Sequence, residues 1–128
     1  MGRRDMRSPL ARVLALGSAK SGGAHWWAQR TSAAALVPLS VWFVASLVAH
    51  AGSEHAQFVA WLRTPIVAIL MVLLLLCLFR HAALGLQVII EDYVHARIRF
   101  AAIELMRFGC LVLAVTGILA TLHIALGG

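Results

Sequence analysis

Three polar side chains interrupt an otherwise apolar stretch in the middle of the chain. Residues 66–90 are almost entirely hydrophobic, yet Arg80 and His81 lie in the middle of this stretch and Gln87 lies near its end. Ionisable groups are costly at membrane depth, and in membrane proteins they usually face a bundle interior, where they mark a ligand, ion or proton pathway. The pattern therefore predicts a functional site inside a helix bundle.

His81 offers the sharpest chemistry of the three. A neutral imidazole is a common axial ligand of haem iron and also binds other metals. On an ideal helix Gly85 lies one turn away on the same face, which leaves room for a flat macrocycle or for another helix. The alternative is a structural histidine bonded to a neighbouring helix, with Gly85 serving small-residue packing. A six-coordinate haem would need its second ligand from elsewhere, because one histidine supplies only one.

Arg80 lies about 100° around the helix from His81, on a stripe shared with Gln87 and Glu91. A guanidinium stays charged, so at membrane depth it needs an anionic or carbonyl partner inside the bundle. A haem propionate, a carboxylate on a partner subunit or water in a cavity would each serve.

Asp92 and Tyr93 follow at the end of the same stretch. A tyrosine hydroxyl can donate to a carbonyl oxygen of a bound ligand, and an aspartate can orient that hydroxyl or relay protons. The residues alone favour a simpler interpretation, a belt tyrosine beside a solvated aspartate. Arg30, where the N-terminal lead meets the first apolar segment, is either a topology charge or a contact to an anionic group at the inner interface.

The composition indicates an integral membrane protein. Of 128 residues, 62% are hydrophobic and only 12% are charged, about half the charged share of a soluble domain. The net charge of +6 comes mostly from residues outside the apolar runs, and no aromatic-studded basic groove for nucleic acid is present. Cys77 and Cys110 have no metal-type spacing and are expected to be buried hydrophobes. No catalytic motif is present, so the chain is not expected to be an enzyme by itself.

Three segments are long and apolar enough to span a membrane as helices: residues 31–51, 65–90 and 100–126. The predicted fold class is all-α, with a loop at 52–64 between the first two spans. The predicted domains are an N-terminal lead, residues 1–24, and a three-helix anchor, residues 25–128. A flexible break is expected at Ser21-Gly22-Gly23.

Basic residues set the predicted orientation. Six of them precede the first span, the second loop carries Arg97 and Arg99, and the first loop carries only Arg63. The positive-inside rule then places the N-terminus and the Tyr93 end in the cytoplasm of a bacterium. The predicted location is the bacterial inner membrane, with the mitochondrial inner membrane as the alternative.

The stretch HAALGLQVIIEDYVH, residues 81–95, resembles the second transmembrane helix of succinate dehydrogenase membrane anchor subunits of the D type. That family shows a histidine, a glycine four residues on, a glutamine or similar residue, and Asp-Tyr-Val beginning eleven residues after the histidine. The segment HWWAQRTSA, residues 25–33, looks like the start of the family's first helix. The resemblance covers about residues 24–125.

The resemblance implies a role for four residues. His81 matches an axial ligand of haem b, whose other ligand comes from the C anchor subunit. Tyr93 matches a tyrosine that hydrogen-bonds a ubiquinone carbonyl, with Asp92 supporting it. Arg30 matches an arginine on the cytoplasmic side near the haem propionates or the quinone. Arg80 has no counterpart in the resemblance, so its role as a cofactor-binding residue rests on the membrane-depth argument.

The resemblance also implies the assembly. The three helices would form part of a heterodimeric anchor bundle with the C-type cytochrome b subunit, and would hold a flavoprotein subunit and an iron–sulfur subunit on the membrane. Electrons from succinate would reach ubiquinone at a site to which this chain contributes. The alternatives are an anchor of a fumarate reductase or another quinone oxidoreductase, and a small non-haem membrane transport or assembly protein.

The spacing of His81 and Tyr93 adds one geometric expectation. Twelve residues on a helix separate them by roughly 18 Å at about 1.5 Å per residue. On an ideal helix Tyr93 lies about 120° around from His81, whereas Asp92 lies nearly beneath it. Either the helix frays or bends before Tyr93, or the two ligands occupy different flanks.

Overall fold

The computed structural model describes residues 19–128, and the side chains from Gly23 onward. It contains four helices: α1 (Ala19–Ala49), α2 (His55–Leu62), α3 (Pro65–Tyr93) and α4 (Ala96–Ala125). No β-strand occurs in this part of the chain. The Gly23–Ala49 part of α1, together with α3 and α4, is long and apolar enough to cross a membrane. The predicted all-α fold with three spanning helices is confirmed.

The first helix begins well before residue 31. It starts at Ala19 and runs through Ser21-Gly22-Gly23, so the predicted flexible break at this position is wrong, and the helix crosses the predicted domain boundary at residue 24. Each glycine costs only about 1 kcal/mol relative to alanine in a helix. Leaving backbone groups unpaired near a membrane costs more, so the helix continues. The rest of the predicted lead, residues 1–18, lies outside the described residues.

The predicted loop at 52–64 contains a helix, α2, which is a second correction. Its Phe58 and Trp61 pack on each other with ring centroids 5.4 Å apart. Trp61 also lies 4.6 Å from the His50 ring and 6.2 Å from the Trp42 ring. This aromatic cluster buries apolar area that an irregular loop would leave exposed, so it stabilises a short helix against the end of α1.

The connections on either side of α3 are short. Pro65 is the first residue of α3, where its fixed φ suits a helix and its missing N–H is not needed. At the other end, Val94 and His95 are both extended, and α4 begins at Ala96 rather than at residue 100. Two residues between two long helices force α3 and α4 into an antiparallel pair.

The helices form an open layer with α3 in the middle. α3 packs on both α1 and α4, whereas no Cα atom of α1 comes within 8 Å of α4 in the described part of the chain. Few described side chains are buried, and these lie on the faces that α1, α3 and α4 share: Ser32, Val67, Ala68, Leu74 and Ala114. Most large apolar side chains are therefore left for lipid or for helices of another chain.

α3 and α4 pack closely at Gly117, and this contact leads to a prediction. A Cβ atom at Gly117 would lie 3.1 Å from Leu75 Cδ1. Gly117→Val should therefore lower the free energy of unfolding by about 1–3 kcal/mol through overpacking. Detergent-induced unfolding of the purified protein would measure the loss.

Gly109→Val is the matched control, because a Cβ atom at this position on the same helix would meet no described atom within 4 Å. Equal destabilisation by the two valines would show that the Leu75 contact does not cause the loss, since valine has a higher helix propensity than glycine.

Candidate functional site

His81 lies at the contact between α3 and α1. Its Nδ1 atom is 3.2 Å from the Ser32 hydroxyl oxygen, and that hydroxyl is also 3.0 Å from the backbone carbonyl oxygen of Gln29. Ser32 is only 5% exposed, and among the described residues it is the polar residue that is buried. The predicted ligand is thus held by a specific side chain on another helix, and the sequence analysis did not identify Ser32.

Ser32 belongs to a row of polar side chains on one face of α1. His25, Gln29 and Ser32 follow the i, i+4, i+7 spacing of a helix face. Gln29 faces Gly85, where an added Cβ would lie 3.7 Å from Gln29 Nε2. We call His25, Gln29, Ser32 and His81 the polar seam. Gly85 therefore faces α1, and a Cβ atom added at Gly85 would make an ordinary van der Waals contact with Gln29.

The polar seam has hydrogen-bonding capacity left over. His25 Nε2 and Gln29 Oε1 are buried, and neither has a hydrogen-bond partner within the described residues. Buried polar atoms almost always find partners in a complete structure. The seam therefore contains two buried polar atoms whose partners are not among the described side chains.

Arg80 lies beside two grooves. One, of about 400 Å³, runs between α3 and α4 and is also lined by Gln87 and Arg107. The other, of about 330 Å³, runs between α1 and α3 and is also lined by Ser32. Leu76 and Arg80, one turn apart, line both grooves, so the grooves open on the same side of the layer. Arg80 is exposed there and pairs with no other described residue, so its predicted partner stays a prediction.

Gln87 and Glu91 lie on one face of α3, as predicted, and their side chains belong to a hydrogen-bond network that reaches α4. Gln87 Nε2 donates to Glu91 Oε1 at 2.8 Å, and Arg107 donates to Gln87 Oε1 at 2.9 Å. Arg107 also pairs with Glu104 at 3.1 Å. The sequence analysis did not single out Arg107, although its i, i+3 spacing from Glu104 inside an apolar segment signals a pair.

Tyr93 and Asp92 lie at the opposite end of α3 from Pro65, and both are exposed, Tyr93 by 82%. α3 stays helical through Tyr93 and breaks only at Val94. The helix therefore does not fray before Tyr93, which favours the alternative that Tyr93 and His81 occupy different flanks. Neither Asp92 nor Tyr93 hydrogen-bonds another described side chain, so the supporting role of Asp92 stays a prediction.

Arg30 lies inside α1 rather than ahead of the first span. The pairs Ser32–His81 and Gln29–Gly85 show that α1 and α3 are antiparallel, and they place Arg30 within about one helical turn of the His81 level, on the Tyr93 side. Its guanidinium carbon is 5.2 Å from the centroid of the Trp26 ring. A cation over an aromatic face gains about 0.5–2 kcal/mol, depending on exposure, which helps a charge to lie at this depth.

The donor groups decide what this site can bind. Among the described residues, no group of three or more His, Cys, Asp or Glu side chains could hold a metal ion. A haem iron needs one or two axial ligands rather than a cluster of side chains, and His81 can supply one. The chemistry of the site is thus one imidazole fixed by a hydroxyl, with Arg80 next to His81 in the chain and Arg30 on α1 within about one helical turn of its level.

Comparison with known proteins identifies the family of the chain. The family described as succinate dehydrogenase/fumarate reductase transmembrane subunit matches residues 4–122. A succinate dehydrogenase hydrophobic membrane anchor subunit of Rickettsia bellii (strain RML369-C) is 37% identical over 90 residues, covering 70% of this chain and 72% of that protein.

Two further relatives carry similar names. The hydrophobic membrane anchor subunit of succinate dehydrogenase from Rickettsia conorii (strain ATCC VR-613 / Malish 7) is 27% identical, over 93% of this chain and 96% of its own. A succinate dehydrogenase membrane anchor subunit of Reclinomonas americana is 32% identical, over 70% of this chain and 84% of its own. No solved structure matches the chain significantly.

Proposed function

Because the chain belongs to the succinate dehydrogenase/fumarate reductase transmembrane subunit family, we propose that it is a membrane anchor subunit of succinate dehydrogenase. The names of its relatives favour succinate dehydrogenase over fumarate reductase. The chain is not catalytic alone. It holds the flavoprotein and iron–sulfur subunits on the membrane as one half of an anchor bundle, whose other half is the C-type cytochrome b subunit. The mostly exposed apolar faces of its open layer support a second half.

His81 is one of the two axial ligands of haem b in this proposal. Two observations support it: the imidazole is held from Nδ1 by Ser32, and the basic residues Arg80 and Arg30 lie within about one helical turn of the His81 level. Haem b, when bound, would supply one-electron redox chemistry within the anchor bundle. The chain itself orients the ligand and offsets negative charge.

Tyr93 and Asp92 form this chain's part of the ubiquinone-reduction site. The Tyr93 hydroxyl donates to a quinone carbonyl oxygen, which becomes more basic as the ring gains electrons. Asp92 supports that hydroxyl and passes protons from the aqueous side. Both side chains are exposed at the end of α3, as residues must be if the other walls of the pocket come from partner subunits.

Arg80 identifies the side of the layer that the partner anchor covers. A guanidinium near the middle of a 29-residue membrane helix cannot face lipid without a cost of several kcal/mol. The two grooves beside Arg80 can take ridges of another helix. The partner anchor therefore packs on this side and supplies an anionic or carbonyl group, or the shared haem supplies its propionates.

The orientation follows from the basic residues, with the N-terminus and the Tyr93 end on the cytoplasmic side of a bacterial inner membrane. Tyr93 then lies on the side where a soluble iron–sulfur subunit can dock. The non-haem transport or assembly function loses its support, because it does not account for the family match over residues 4–122.

The first prediction of the proposed function concerns haem binding. His81→Ala should shift or remove the b-type signal in the reduced-minus-oxidised optical spectrum of the complex that co-purifies with this chain. Part of the complex should still assemble, since one of two axial ligands remains. His55→Ala, an exposed histidine of α2, is the matched control and should leave the spectrum unchanged.

An unchanged spectrum and haem content in His81→Ala would exclude His81 as a ligand. A wild-type complex that contains the flavoprotein but no haem would keep the anchor function and remove the haem from it.

The second prediction concerns the quinone. Tyr93→Phe should lower quinone reduction by about tenfold, the value of one hydrogen bond of roughly 1.4 kcal/mol. Succinate oxidation by a soluble artificial acceptor should change little, because that acceptor bypasses the quinone pocket. If both activities fall equally, the variant disturbs assembly and Tyr93 has no specific role.

The third prediction concerns Arg80. Arg80→Met keeps the length of the side chain but removes its charge, and should lower the amount of C-type anchor that co-purifies several-fold, since the group opposite loses its partner. Arg80→Lys should retain most of it. Arg97→Met, at an exposed position at the start of α4, is the control. Wild-type co-purification and haem content in Arg80→Met would contradict the proposed interface.

A further inference from the structure

The Ser32 hydroxyl makes two polar contacts but has one proton. Its oxygen is 3.0 Å from the Gln29 carbonyl oxygen and 3.2 Å from His81 Nδ1. A carbonyl oxygen only accepts, so the hydroxyl proton must point to Gln29 for that contact to be a hydrogen bond. A serine that bonds back to a carbonyl of the preceding turn is a frequent arrangement in helices.

The remaining contact then determines the tautomer of His81. While the Ser32 hydroxyl donates to the Gln29 carbonyl, its oxygen can only accept a hydrogen bond from His81. His81 Nδ1 must therefore carry the hydrogen and donate it. In the reverse arrangement the hydroxyl would donate to Nδ1, and the lone pairs of two oxygens would face each other at 3.0 Å. Only the first arrangement makes both contacts favourable.

We infer that Ser32 is a positioning residue, which holds His81 in the tautomer with hydrogen on Nδ1 and a free lone pair on Nε2. Nε2 is then the atom that binds the iron. This inference rests on the proposed role of His81 as a haem ligand. It adds a residue from a different helix, which ties the orientation of the imidazole to the packing of α1 on α3.

The buried position of Ser32 makes this hydrogen bond hard to replace. The side chain is 5% exposed, so water does not readily substitute for the hydroxyl. An acceptor on the second nitrogen of a ligating histidine fixes the ring orientation and makes the imidazole a stronger electron donor. A stronger donor stabilises the ferric iron over the ferrous iron. Ser32 should therefore lower the midpoint potential of the haem.

The test compares Ser32 variants in the purified complex. Ser32→Ala removes the acceptor, and should raise the haem midpoint potential and weaken haem retention about tenfold. Ser32→Thr keeps the hydroxyl and should behave like wild type. Ser32→Cys is nearly the same size but a weak acceptor, so it should assemble and still raise the potential. Ser40→Ala, an exposed serine of the same helix, is the matched control.

Three readouts separate the possible results: the redox titration, the spectrum of the ferric haem, and the amount of co-purified flavoprotein as a measure of assembly. Equal potentials and haem retention in Ser32→Ala, Ser32→Cys and Ser40→Ala would overturn the inference. So would equal upward shifts in Ser32→Thr and Ser32→Ala, because a change of volume would then explain them. If His81→Ala loses the haem while the Ser32 variants keep wild-type properties, the role of Ser32 alone fails. If His81→Ala keeps a normal haem, the proposed ligand fails and Ser32 with it.

Discussion

The membrane interior offers no water to polar side chains, and this constraint organises the whole chain. Each polar group within the three long helices must find its partner in protein or in a bound group. Ser32 and His81 meet this requirement between α1 and α3, and Gln87 and Arg107 meet it between α3 and α4. The same two pairs hold the central helix to its two neighbours. Polar contacts thus fix which faces of the apolar helices meet. Apolar packing alone does not select these faces, because lipid tails are as apolar as leucine side chains.

The open layer follows from the same constraint. α1 and α4 do not approach each other in the described part of the chain, so neither covers the polar groups that α3 turns away from them. A soluble protein would have to close over its core, but lipid stabilises exposed leucine and valine at no cost. Lipid offers no hydrogen-bond partner to Arg80, and it offers none to His25 Nε2 and Gln29 Oε1, the unpartnered atoms of the polar seam. The incompleteness of the site is therefore local, and it lies where a second anchor and a haem would be needed.

Sequence reasoning predicted the three helices because length and hydropathy decide membrane spans almost independently of context. It missed the helix ends, because Gly22, Gly23 and Arg30 discourage a span without breaking a helix. It missed α2, because the aromatic cluster around Trp61 depends on contacts with α1. His81 and Tyr93 were identifiable as candidates from the sequence, but their roles came from the resemblance, because the residues alone left a structural histidine and a belt tyrosine open. Ser32 was not identifiable, because a serine in an apolar helix becomes informative only once the register of α1 against α3 brings it to an imidazole.

The regularity of α3 restricts how the proposed sites can be built. Because the helix continues through Tyr93, His81 and Tyr93 are fixed on flanks about 120° apart and roughly 18 Å along the axis. One helix therefore presents the two residues to different neighbours, and no single surface of this chain can enclose both a haem and a quinone. Ser32 on α1 serves only the His81 flank. In the proposed function the remaining walls around Tyr93 would therefore come from other subunits, with the quinone pocket at a junction of chains and the haem between two anchors.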